Sequence, residues 1–197
     1  MSGRIVSAIV LAGGRSTRFG RNKLAEPVEG KPLLDHAVDG VRSFAGDIIV
    51  VVAPDDPPPV PRDGRDVRIV RDAVAHEGPL AGLVAGLGAA YARTVFVTAG
   101  DMPALQPTVA VFLLDVLVVV GADAVVLEAE GRPRQLPMAL ARDPARKAAQ
   151  RLFASGERRL GALLGEIATE VIPEVDWRPF DPEGRSLRDV DTPDDLP

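Results

Sequence analysis

The stretch IVSAIVLAGGRSTRFGRNK, residues 5–23, starts apolar and ends cationic. Ile5 to Leu11 is a nearly continuous apolar run rich in branched side chains, which predicts a strand buried on both faces. Two glycines then turn the chain, and Arg15, Arg18, Arg21 and Lys23 follow with no acid among them. Glycine lets backbone pass close to another group, and successive amides in such a turn form a nest for an anion. Arg grips phosphate oxygens as a planar fork, and Lys acts as a point charge. A phosphate chain held just past a buried strand is therefore expected. The glycines alone also fit an ordinary turn with solvated basic residues.

Working outward, Pro32 opens a helical pattern with Leu33, Leu34, Ala37, Val38 and Val41 on one side. Further strands are expected at Asp47–Ala53, Val67–Val70, Thr94–Thr98, Ala124–Leu127, Gln135–Leu140, Glu170–Ile172 and Leu187–Val190. Helices are expected at Gly82–Tyr91, Gln106–Val120, Pro144–Ala154 and Glu157–Ile167, with a last helical turn opening at Thr192-Pro193. Pro54–Asp66 is Pro-rich and polar, so it reads as an exposed connection within one domain. Strand and helix alternate through the first half, which predicts a mostly parallel sheet with helices on both faces. Ligands in such sheets bind at the carboxyl ends of the strands, where the glycine loop and the segment after Thr98 both fall.

The composition narrows the function. A 197-residue chain that is 46% hydrophobic but only 4% aromatic builds its core from Val, Leu, Ile and Ala. A net charge of −5 argues against a general nucleic-acid binder. Cations outnumber acids up to Lys31, and acids dominate from Glu174 onward, as expected of a basic pocket near carboxylates able to hold a metal. The absence of cysteine removes disulfides, thiolate metal sites and cysteine nucleophiles, and is compatible with a reducing cytoplasm. No signal peptide is evident, and the longest apolar run, around Val116–Val120, is too short to span a bilayer. Neither His36 nor His76 has catalytic spacing.

The glycine loop is not a P-loop. Gly14 and Gly20 are one residue too far apart, the lysine comes late, and GxGxxG is absent as well. Four more segments carry chemistry: GPLAGL at Gly78–Leu83 with Asp72 before it, TAGDMPAL at Thr98–Leu105, RPRQLPMAL at Arg132–Leu140, and DVDTPDDL at Asp189–Leu196. Asp101 lies just past a buried strand. It suits either a divalent metal or a helix cap. Thr-Pro-Asp-Asp starts a helix well on dipole grounds alone. Arg132 and Arg134 suit either an acceptor's phosphate or a solvated turn, and the turn is the favoured reading for each.

Together these strings resemble the molybdenum cofactor guanylyltransferase (MobA-like nucleotidyltransferase) family. The resemblance covers most of residues 5–196 and implies a three-layer αβα, Rossmann-like fold of the nucleotide-diphospho-sugar transferase type. It implies one domain over residues 1–197, with an NTP-binding half at 1–105 and an acceptor-binding half at 106–197. It assigns catalytic roles to Arg18, Lys23 and Asp101. Nucleotide contacts fall to Leu11, Ala12, Gly13, Gly14, Lys23, Asp72, Gly78, Pro79, Leu80 and Gly82. Gly82 would admit a planar base close to the backbone, and Asp72 would accept from guanine. Mg²⁺ would sit on Asp101, completed by Asp189 or Asp191. GTP and molybdopterin or its molybdenum form are the implied substrates. Transient contact with molybdenum cofactor biosynthesis or acceptor proteins is implied too, with no nucleic acid and no membrane. Where the family often has Asn after the second strand, this chain has Ala53-Pro54-Asp55, and Gln135-Leu136-Pro137 stands for the commoner Gln-Pro-Leu. Two other readings stay open. One is a cytidylyltransferase or another nucleotidyltransferase on a phosphorylated acceptor, although LAGG and GPLAGL favour guanine. The other is a non-catalytic nucleotide-binding accessory protein.

Overall fold

The computed structural model describes residues 5–13, 23–54, 67–72, 78–190, 192 and 195. In chain order the elements are β1 (Val6–Leu11), β2 (Pro27–Val28), β3 (Lys31–Pro32), α1 (Leu33–Arg42), β4 (Asp47–Val52), β5 (Val67–Arg71), α2 (Pro79–Ala89) and β6 (Thr94–Ala99). They continue with α3 (Pro107–Val120), β7 (Ala124–Ala129), β8 (Arg132–Ala141), α4 (Arg142–Ala154), α5 (Gly161–Glu166), β9 (Thr169–Ile172) and α6 (Glu174–Trp177). Single 3₁₀ turns lie at Lys23–Ala25, Arg178–Phe180 and Arg185–Leu187.

Seven strands form the main sheet in the order β5-β4-β1-β6-β8-β7-β9, and β2 pairs with β3 in a small ribbon. Every main-sheet pairing is parallel except the two made by β8, with β6 and with β7. Apolar residues alternate between the faces as the pleat demands. Val6, Ala8 and Val10 of β1, with Ile48, Val50 and Val52 of β4, pack under α1, α3 and Trp177 of α6. Ile9 and Ile49 look the other way, into a second core with α2, α4 and α5. The expected three-layer αβα architecture is present.

Several boundaries differ from expectation. Helix α2 begins at Pro79, because proline at the first helical position needs no N–H partner. Helix α5 begins at Gly161, since Glu157–Leu160 is occupied as a turn. The solvated turn expected at Arg132 and Arg134 is strand. The reversal sits at Glu130 (φ 56°) and Gly131 (φ 70°), both left-handed, as a tight hairpin joining β7 to β8 requires. Leu187–Val190 is not a strand. The chain makes the 3₁₀ turn Arg185–Leu187, and Val190 then bonds to the Asp101 turn rather than to a ladder. Of the proline-rich connection, Pro54 is described and 55–66 lie outside the described residues. Of the last helical turn, Thr192 and Asp195 are described: the Asp195 carboxylate accepts from the Thr192 amide at 2.7 Å and its hydroxyl at 2.8 Å. No helix among the described residues is long and apolar enough to cross a membrane.

Candidate active site

Strand register brings the ends of β4, β1 and β6 to one edge, with Leu11 opposite both Val51 and Ala99. At this edge the ladder continues briefly: the Ala12 amide donates to Val51 O at 2.7 Å and the Gly100 amide to Leu11 O at 2.9 Å. Those main-chain groups of Leu11 and Ala12 are therefore committed to the sheet, and Ala12 is buried. Gly13, the next residue, is exposed, and a side chain there would lie 3.4 Å from the Ala53 nitrogen. Gly14 and Arg18, like Arg15 and Arg21, lie outside the described residues.

Lys23 re-enters on a 3₁₀ turn pinned by buried Leu24. Gly100 makes room for that anchor, because a Cβ there would stand 3.2 Å from Leu24 and 3.1 Å from Leu34. The turn brings the Lys23 ammonium to 2.6 Å from Asp101 Oδ2, across 78 residues of sequence. Lys23 also donates to the Val190 carbonyl at 3.1 Å, and the Val190 amide donates to Asp101 O at 2.9 Å. Reading the sequence alone missed Val190, which acts through its backbone and so leaves no trace in residue type.

Asp101 lines a cleft of about 450 Å³ together with Pro79, Arg134, Gln135, Leu160 and Asp189. Asp189 thus faces the same space as Asp101, while Asp191 lies outside the described residues. Oxygen-only donors of this kind suit Mg²⁺, which takes one or two carboxylates and completes its shell with phosphate oxygens and water. Arg134 reaches the cleft from β8 and pairs with Glu130 at 2.9 Å, both side chains well exposed. Against Gln135, a side chain on Gly161 would stand 2.9 Å from Nε2, so glycine there lets α5 close on β8.

The GPLAGL segment is built differently from expectation in part. Gly78 and Pro79 are exposed at the rim. Gly78 has φ +87°, and a Cβ there would meet Arg158 O at 2.9 Å, so glycine is required twice over. Leu80 is fully buried and its amide donates to Arg158 O at 3.2 Å, which leaves it a core anchor rather than a nucleotide contact. Gly82 is buried too. A Cβ there would make ordinary contact with Leu11 and Val51, at 3.5 and 3.6 Å. Arg158 is presented by Glu157, whose carboxylate accepts from the backbone amides of residues 158 and 159. The Arg159 guanidinium, followed by these amides, holds the Glu157 carboxyl at a pKa of about 2. Asp72 follows β5 at the same sheet edge, half-buried, its amide donating to Val52 O at 2.9 Å. Arg71 beside it donates to the carbonyls of Ala53 (3.3 Å) and Pro54 (2.7 Å), where the family often has its Asn. His36 contacts the Val28 carbonyl at 2.9 Å, a structural role.

A lysine–aspartate pair at the carboxyl edge of a three-layer α/β sheet, with its carboxylate lining a cleft, stands where α/β proteins of this class bind their ligands. The family model for the MobA-like NTP transferase domain matches residues 8–171, and the chain belongs to that family, which makes it a nucleotidyltransferase. The protein named "Probable molybdenum cofactor guanylyltransferase" in Chloroflexus aggregans is 34% identical, over 98% of this chain and 92% of its own length. The one so named in Mycobacterium avium is 36% identical, over 97% and 93%. Among solved structures, molybdopterin-guanine dinucleotide biosynthesis protein A from Archaeoglobus fulgidus superposes with a TM-score of 0.78 at 25% identity, covering 96% of this chain and 94% of that one. The 4-diphosphocytidyl-2C-methyl-D-erythritol synthase of Anaerococcus prevotii shares the fold, with a TM-score of 0.72 at 17% identity over 99% and 96%. Nucleotidyltransferases of this family generally depend on a divalent metal.

Proposed function

We propose that this protein transfers GMP from GTP to the terminal phosphate of molybdopterin, or of its molybdenum form, and releases pyrophosphate. The observation that carries the reading is the contact between Lys23 and Asp101 at the sheet edge, 2.6 Å across, with Asp101 lining the cleft. Relatives named for guanylyl transfer at 34–36% identity over nearly the whole chain support the choice of base and acceptor. In this reading residues 1–105 bind the nucleotide and residues 106–197 the acceptor, in one cytoplasmic domain.

The acceptor's phosphate attacks the α-phosphorus, a new P–O bond forms, and the bond to the β-phosphate oxygen breaks. A phosphate monoester is already largely dianionic near neutral pH, because its second pKa is about 6, so no general base is needed. The obstacle is repulsion between anions and charge on the leaving pyrophosphate. Lys23, Arg18 and the amides of Gly13 and Gly14 meet that charge by position and electrostatics. Asp101, with Asp189 or Asp191, would hold Mg²⁺, which would supply neutralisation of phosphate charge. Asp72, Gly78 and Pro79 form the rim that receives the base. Arg134 and Gln135 face the acceptor side.

The test is pyrophosphate release from each of the four NTPs with Mg²⁺ and molybdopterin. GTP alone should support turnover, and Asp101→Ala should lower it at least ~100-fold. Turnover with CTP instead would establish the cytidylyl reading. GTP binding with no release in wild type would leave an accessory protein.

A further inference from the structure

Among the described residues, Lys23 holds two acceptors at once, one charged and one neutral. The charged one, Asp101 Oδ2 at 2.6 Å, belongs to the side chain read above as the metal ligand; the neutral one is the Val190 carbonyl at 3.1 Å. A carboxylate oxygen in contact with an ammonium is not open to a metal, and a divalent ion brought to the other oxygen would sit beside a positive charge. Both side chains keep only about a fifth of their exposure (18% and 21%), so water screens that repulsion incompletely. The Val190 carbonyl offers the ammonium a hold that does not involve the Asp101 carboxylate. Val190 is itself buried and tied through its amide to Asp101 O, so this hold is fixed. Lysine's flexible four-carbon stem with three rotatable donors suits an exchange of one acceptor for another.

We propose that Lys23 is a built-in stand-in for the metal. It occupies Asp101 until nucleotide phosphates draw the ammonium onto themselves, which frees the carboxylate at the moment those phosphates arrive to complete a metal shell. Metal and nucleotide therefore load together, and each raises the other's affinity by the same factor. The inference rests on the reading of Asp101 as metal ligand and Lys23 as phosphate ligand.

The probe is Mn²⁺, followed by electron paramagnetic resonance with the full-length chain. Without nucleotide, Lys23→Gln should bind Mn²⁺ at least tenfold more tightly than wild type, and Lys23→Arg, which keeps the charge, should not. The gain should vanish in Lys23→Gln combined with Asp101→Asn. A second measurement needs no lysine variant. Asp101→Asn should leave Mn²⁺ binding unchanged without nucleotide and should weaken the Mn²⁺–GTP–protein signal with it. If Lys23→Gln binds Mn²⁺ no better than wild type while that ternary signal depends on Asp101, the stand-in role is wrong and the metal assignment survives. If Asp101→Asn changes nothing even with GTP, both fall. Tight, Asp101-dependent binding to wild type without nucleotide also overturns the proposal.

Discussion

Consider a double-mutant cycle on Lys23→Met and Asp101→Ala, read out by urea denaturation in the absence of nucleotide. The single substitutions each remove more than the pair itself. Lys23→Met also loses the bond to the Val190 carbonyl, and Asp101→Ala alters the turn after β6. The cycle cancels these and isolates the coupling. Its size follows from geometry and burial. Fully exposed pairs contribute about 0.2–1 kcal/mol, and breaking a buried pair by removing one partner costs about 3–5 kcal/mol. At 2.6 Å, with 18% and 21% exposure, this pair lies between those limits, and we expect a coupling of about 1–2 kcal/mol. For a chain of this size each kcal/mol corresponds to roughly 2–4 °C in Tm, so calorimetry gives an independent check. Full additivity of the two substitutions would mean that the contact does not exist in solution, and the site described here would lose its centre.

Two further outcomes test the frame around the site. Trp177 is fully buried and donates to the Glu128 carbonyl at 2.8 Å, tying the C-terminal segment to the β7–β8 hairpin. Trp177→Ala should destabilise the chain by about 3–5 kcal/mol in urea denaturation, and a loss under about 1 kcal/mol would contradict that packing. Glu157 has a folded-state pKa of about 2 against an ordinary 4.5. Its contribution is therefore present above about pH 4.5 and lost as pH falls from there through about 2. Glu157→Gln should lower the urea midpoint at pH 6 and converge on wild type toward pH 2; equal midpoints at pH 6 would show that the carboxylate stabilises nothing.

Much of the fold was legible because apolar runs and alternation carry it. Val6–Val10, Asp47–Ala53 and Val95–Thr98 are buried on both faces, and such strands announce themselves. The start of β8 was not legible, because Arg132, Pro133, Arg134 and Gln135 are exposed strand residues at a cleft rim and their composition is that of a loop. Leu187 and Val190 looked like strand because both pack against the core, yet they do so from a 3₁₀ turn and an unpaired extension. Within the site, Asp101 and Lys23 could be picked out by type and position, but their mutual contact could not, since only the sheet brings them together. GPLAGL divided: its rim residues Gly78 and Pro79 remain at the cleft side, while Leu80 and Gly82 serve the packing of α2 on β1 and β4. Small and apolar residues give the same letters to both uses.

The most direct measurement follows the α-phosphate. GTP labelled with ³²P at the α position is incubated with the wild-type chain, Mg²⁺ and molybdopterin, and the products are separated. The account predicts that the label passes into a molybdopterin–guanine dinucleotide, in step with unlabelled pyrophosphate. Label found only in GTP or free GMP, with acceptor and metal both present, would contradict it.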